Sequence, residues 1–193
     1  MNPGRLFWPC ATFALFGLFL LGCTVRTSEK TSDGNKKEDV DIRTPFGSLS
    51  VKTNNYDPKD AGLPAYPGAR TKNSGDEDGS ATVNISSSAF GLKVVALQFE
   101  TDDSPKKVLD FYRKPLGQYG KVIQCETEKN DFEVEKYHDD SPVTCDEHGS
   151  TTSYTELKVG SNHNQHIVSV KPHGKGTQFS LVYVRTHGSK DVI

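Results

Sequence analysis

From Val40 onward the chain alternates apolar and polar residues in short runs, and Gly, Pro, Asn and Asp separate the runs. Val40 and Ile42 lie on one side of Thr44-Pro45-Phe46-Gly47, and Leu49 and Val51 on the other, which predicts two strands around a turn. Residues 53–79, rich in Pro, Gly, Asn and Asp, read as loop, with Leu63-Pro64-Ala65-Tyr66-Pro67-Gly68-Ala69 as its stiff part. Ala81, Val83 and Ile85 alternate with polar residues and predict a half-buried strand. Leu92–Glu100 carries apolar residues at both parities and predicts an interior strand.

The period then changes. Val108, Tyr112, Leu116 and Tyr119 recur at helical spacing, with Leu109 beside them and Lys106, Lys107, Asp110, Arg113 and Lys114 facing away. Ser104 is the expected N-cap and Pro105 the first helical residue, where the missing N–H costs nothing. Pro115 should end or kink this helix, and Gly120 should stop it, so the helix is expected over 104–119. Core packing, rather than ligand binding, is the expected use of Phe111, Tyr112 and Tyr119. Strands are predicted at 121–125, 154–159, 166–171 and 177–185. Strand, strand, helix and strands again make an α+β fold: a mostly antiparallel β-sheet with one main helix packed on a face.

The N-terminus follows other rules. Arg5 precedes an uncharged stretch from Leu6 to Gly22, 17 residues long, and Phe13–Leu21 is nearly all apolar. A membrane-spanning helix usually needs about 20 residues, so the stretch suits a signal peptide better than a span. Residues 24–39 contain one apolar residue, Val25, too little to offset ordering entropy, and read as a flexible tether of about 20–25 Å. Three parts result: signal peptide over 1–22, Cys23 with a flexible N-terminal tether over 23–39, and a single α+β domain over 40–193. The chain is 34% hydrophobic and 25% charged with a formal charge of −2, and losing Arg5 with the signal segment makes it one charge more acid. That balance argues against nucleic acid, and the sequence shows no basic patch suited to anionic lipid heads.

Leu20-Leu21-Gly22-Cys23 resembles the lipobox of bacterial lipoproteins, with Leu at −3, a small residue at −1 and Cys at +1. Leu21 at −2 departs from the more usual small or polar choice. The resemblance implies cleavage before Cys23 and lipidation of its thiol by palmitate-type chains, at about 0.8 kcal/mol per buried methylene. Thr24 at +2, by resemblance to the sorting rule of enteric bacteria, implies an outer-membrane lipoprotein facing the periplasm in a Gram-negative cell envelope. A second resemblance covers roughly residues 40–125. Tyr66-Pro67-Gly68-Ala69, then Phe99-Glu100-Thr101-Asp102-Asp103-Ser104-Pro105, then Val108-Leu109-Asp110-Phe111-Tyr112 and Leu116 resemble a group of uncharacterised bacterial exported lipoproteins. It implies a helix-on-sheet module and transfers no activity.

Candidate chemistry is sparse. With Cys23 lipidated, Cys125 and Cys145 are left as a pair; in an oxidising envelope a disulfide is favoured over free thiols or metal ligands. Residues 126–144 between them carry Glu126, Glu128, Asp131, Glu133, Glu135, Asp139 and Asp140. They lack the DxDxDG spacing of a Ca²⁺ loop, so a solvated acidic loop is favoured. His163, His166 and His173 would make a Zn²⁺ site only if they converged with a carboxylate, and in a strand a three-residue spacing puts two side chains on opposite faces. No GxSxG, GxGxxG or complete P-loop is present; Gly174-Lys175-Gly176-Thr177 lacks the frame. The expectation is therefore a membrane-anchored, non-catalytic binding or assembly module without cofactor or catalytic residues, possessing a protein partner in the envelope. The alternatives are a small metal-dependent hydrolase using the three histidines, and a carrier of an apolar ligand between sheet and helix.

Overall fold

A computed structural model describes residues 24–32, 35–53, 57–71, 80–127, 141–145 and 154–188 of the chain. The signal segment with Cys23, and residues 128–140 of the acidic loop, lie outside the described residues.

One mostly antiparallel sheet dominates. Its strands are β1 (Thr24–Ser32), β2 (Asn35–Thr44), β3 (Gly47–Thr53), β4 (Arg70–Thr71), β5 (Ala81–Ser87), β6 (Gly91–Thr101), β7 (Ile123–Thr127), β8 (Tyr154–Ser161), β9 (Asn164–His173) and β10 (Gly176–His187). They stand in the order β1-β2-β3-β5-β6-β10-β9-β8-β7, with β4 paired to β6 outside that row. The helix α1 (Pro105–Leu116) joins β6 to β7 and continues into a 3₁₀ turn, Gly117–Tyr119.

The predicted hairpin around Thr44–Gly47 is present, with Val40 opposite Val51 and Ile42 opposite Leu49. The expected tether is different. Thr24–Ser32 and Asn35–Thr44 pair over nine positions, from Thr24↔Arg43 to Ser32↔Asn35. Backbone N–H and C=O groups form a ladder whatever the side chains are, so a strand does not need the apolar content on which the tether reading rested. The expected loop over 53–79 also carries structure: a 3₁₀ turn at Pro58–Ala61, capped by the Asp57 side chain, and β4.

Ser104 precedes α1 in extended conformation but makes no side-chain cap; its carbonyl accepts from Lys107 N–H at 3.0 Å. Pro115 is inside the helix, which ends one residue later. Val108, Tyr112 and Leu116 are fully buried. They belong to one cluster with Val95, Leu97, Phe99, Leu157, Val159, Val168, Val170, Phe179 and Leu181. Tyr119, expected in that row, is 39% exposed. No helix among the described residues is long and apolar enough to cross a membrane.

Candidate functional site

Strand register divides the sheet into two faces. Phe99, Phe179 and Val170 stand level across β6, β10 and β9, and Leu97, Leu181, Val168 and Leu157 form the next row. These residues are at most 6% exposed and define a core face. The alternate residues define the other face. They run from Val25 and Ile42 through Leu49 and Ile85 to Leu92, and from Val40 through Val51, Val83, Val94 and Val184. None of them belongs to the buried core: Val25 is 61% exposed, and Val40, Ile42, Leu49, Val51, Val83, Leu92 and Val94 are half-buried. The result is an open apolar face that crosses at least six strands. Its exposed members are Val25 and Ile85, with half-buried apolar residues level between them, and apolar surface left in contact with solvent is what interaction sites use.

At the far side of the sheet this face is no longer open, and its groups are polar and largely buried. Glu156 and Lys158 on β8 form an ion pair of 3.2 Å. Cys125, opposite Glu156 in the register, stands at disulfide distance from Cys145, their Cα atoms 5.3 Å apart. Segment 141–145 joins the β8 end through Val143 N–H to Gly160 O at 3.1 Å and Asn162 N–H to Ser141 O at 3.0 Å.

The three histidines do not converge. His163 sits in the exposed β8–β9 turn, its Nδ1 2.7 Å from Thr186 Oγ1. His166 is buried on the core face, its Nδ1–H donating to Ala61 O at 2.9 Å. His173 lies at the other end of β9, seven residues or about 23 Å of strand away, 4.0 Å from Glu100. Among the described residues no group of three His, Cys, Asp or Glu side chains is placed to hold a metal ion. His166 instead joins a ring stack. Tyr119 lies 3.8 Å from it, between ring centroids, and Tyr183 4.6 Å on its other side. Burial holds its pKa below the usual histidine value, against the opposing hydrogen bond to Ala61. Gly62 closes this stack. At φ +72° its own Cβ would meet the Tyr119 hydroxyl at 2.6 Å and the His166 ring at 3.0 Å, so only glycine lets the loop approach.

The residues carrying the second sequence resemblance meet in space. The Tyr66 hydroxyl donates to Asp103 Oδ2 at 2.8 Å, and its ring meets Phe111 and Phe179 edge-on. Lys107 reaches Asp103 at 2.7 Å, and Arg70 grips Asp102 through two hydrogen bonds of 2.8 and 2.9 Å. Burial and the Asp103 carboxylate raise the Tyr66 pKa to about 12. Lys107 and Tyr66 hold Asp103 below the usual carboxylate range. Every one of these groups has a partner within the fold, and the cluster ties the loop to the start of α1.

Periodicity also gave no sign of two pairs of cations, Arg26 with Arg43 and Lys93 with Arg185, set at one end of the sheet. Arg26 and Arg185 are exposed, Arg43 lies 3.0 Å from Asp41, and Lys93 sits over the Tyr183 ring at 5.3 Å. No signal in the linear sequence unites positions 26, 43, 93 and 185. Only the register does, through Arg26↔Asp41, Asn84↔Lys93 and Lys93↔Arg185. Comparison with known proteins finds no matching family model, curated protein or solved structure.

Proposed function

We propose that the chain is a lipoprotein of the bacterial cell envelope, held to a membrane by lipid on Cys23, whose α+β domain binds or assembles rather than catalyses. The open apolar face carries this reading: on a fold whose described histidines lie apart, it is the surface with most to gain from contact. Strand β1 already includes Thr24, the residue that follows Cys23, which fits an anchor joined directly to the domain. We read α1 as packed on the core face, because Val108, Tyr112 and Leu116 share a cluster with that face. We read Cys125 and Cys145 as a disulfide formed in an oxidising compartment. The resemblance to exported lipoproteins and the outer-membrane assignment from Thr24 are part of the same proposal.

The hydrolase alternative loses its support, since the histidines would have to meet within about 5 Å with an open position. A carrier with its ligand between sheet and helix is disfavoured too, because Tyr112, Phe179 and Leu181 fill that space.

Two experiments test the proposal. Metabolic palmitate should label the wild-type chain and not Cys23→Ala; label persisting in the variant removes the anchor. A photocrosslinking residue at Ile42 should capture a partner in native membranes, while one at Lys175 should not. Equal capture at both positions removes the binding face.

A further inference from the structure

Cys23 is bonded to Thr24, and Thr24 is the first residue of an edge strand. Its register therefore says which end of the sheet faces an anchored membrane. Thr24 stands level with Arg43, Ser48, Ser86, Gly91 and His187. At that same end the β2–β3 turn presents Phe46, 86% exposed, and the β5–β6 turn presents Phe90, 42% exposed. With strands about 4.8 Å apart, these turns lie about 7 Å and about 17 Å sideways from β1.

Both turns are braced in the same way. Thr44 Oγ1 accepts from Phe46 N–H at 3.2 Å and donates to Gly47 O at 3.0 Å. Ser87 Oγ accepts from Phe90 N–H at 2.9 Å and donates to Phe90 O at 3.0 Å. Each hydroxyl thus closes its own turn and braces the backbone that carries the ring.

Charge at this end has one predominant sign. The two outermost core-face rows contain Arg26, Arg43, Lys93 and Arg185, with Asp41 as their one carboxylate among the described residues. Thr24, Arg26, Asp41 and Arg43 line a hollow of about 250 Å³ there. Glu100, Asp102 and Asp103 lie at the opposite end, where β6 finishes.

We propose that this end of the sheet docks on an anionic lipid bilayer, with Phe46 and Phe90 entering the headgroup boundary and the four cations facing lipid phosphates. The inference rests on the lipid anchor at Cys23. Phe side chains are favoured at that boundary, and each Lys or Arg near an anionic surface adds to the attraction within a Debye length. It also replaces the expectation, drawn from sequence, that no basic patch suits lipid heads.

The lipidated full chain is reconstituted into vesicles of brominated phosphatidylcholine, with or without phosphatidylglycerol. Trp8 is the single native tryptophan and falls in the segment removed on processing, so the unsubstituted chain is the blank. Phe46→Trp and Phe90→Trp should be quenched in vesicles containing phosphatidylglycerol. Lys175→Trp, in the exposed turn at the opposite end, should not. Arg26→Gln and Arg185→Gln should each lower the ratio of docked to undocked protein about fivefold, and added salt should act in the same direction. A chain that carries the Cys23 lipid yet shows equal quenching at positions 46 and 175, or quenching indifferent to phosphatidylglycerol, overturns the docking alone. A chain that carries no lipid on Cys23 overturns the anchor, and the docking with it.

Discussion

The two halves of the sheet use the same alternation to different ends. In β6, β10, β9 and β8 the inward parity is apolar and buried, with Leu97, Leu181, Val168 and Leu157 fully removed from solvent. In β1, β2, β3 and β5 the apolar parity is the opposite one. Val25, Ile42, Leu49 and Ile85 occupy the open face, while Arg26, Asp41, Ser50 and Asn84 take the core-face side. Alternation states that a strand has an apolar side; it does not state which side receives a cover. The first half thus carries the buried core, and the second leaves its apolar parity partly exposed.

The contrast breaks most sharply at Tyr112. Truncating a buried aromatic costs about 3–5 kcal/mol, whereas an exposed change costs about 0.5 kcal/mol or less. Tyr112→Ala should clearly lower the denaturant midpoint and Val25→Ser should leave it unmoved. Equal midpoints for the two variants would dissolve the distinction between the halves. Next comes the cysteine pair, which closes a 20-residue separation in the covered half. Cys125→Ser or full reduction should cost about 3 kcal/mol, measured by urea unfolding with and without reductant. A reductant-insensitive midpoint counts against the bridge.

A smaller effect belongs to Tyr66. Its hydroxyl bond to Asp103 contributes about 1 kcal/mol, so Tyr66→Phe should lower stability by that order at neutral pH. The folded pKa lies above the unfolded value of about 10, so the stabilisation is complete below pH 10 and declines as pH rises toward 12. Unfolding curves across that range should fall less steeply for Tyr66→Phe than for the wild type. The smallest effect is at His166. Its folded pKa is depressed, so below about pH 6.5 the unfolded chain takes a proton that the folded chain refuses. Stability should decline on acidification through that window, and His166→Gln should lose part of the slope. An identical slope in wild type and variant would mean that the ring is not neutral in its stack.

How much of this was legible follows from which interactions are local. The β2–β3 hairpin, the β5 and β6 strands and the helical row Val108–Tyr112–Leu116 are written in periodicity, and they appear where expected. The β1 strand was not legible, because Thr24–Ser32 has one apolar residue and is held by a ladder to residues it meets after a turn. Tyr119 kept the helical spacing but left the core, since the helix tightens into a 3₁₀ turn before it and its hydroxyl finds Gly62 O at 2.6 Å. The partly exposed apolar face was least legible of all. The face on which Val25, Ile42 and Ile85 stand, and the row that sets Arg26 and Arg185 level at one end of the sheet, are products of register between segments far apart in sequence.

The nine-pair ladder between β1 and β2 has a mechanical consequence. If acyl chains on Cys23 hold the chain just before Thr24, any tug on the domain away from the bilayer runs along the axis of β1. That direction loads the ladder in shear, so its hydrogen bonds resist together rather than opening one after another like a zipper. A leash would soften such a pull by uncoiling. Under that proposal the β1–β2 ladder would replace the leash, and force applied at the far end of the sheet would pass to the anchor through the edge strand.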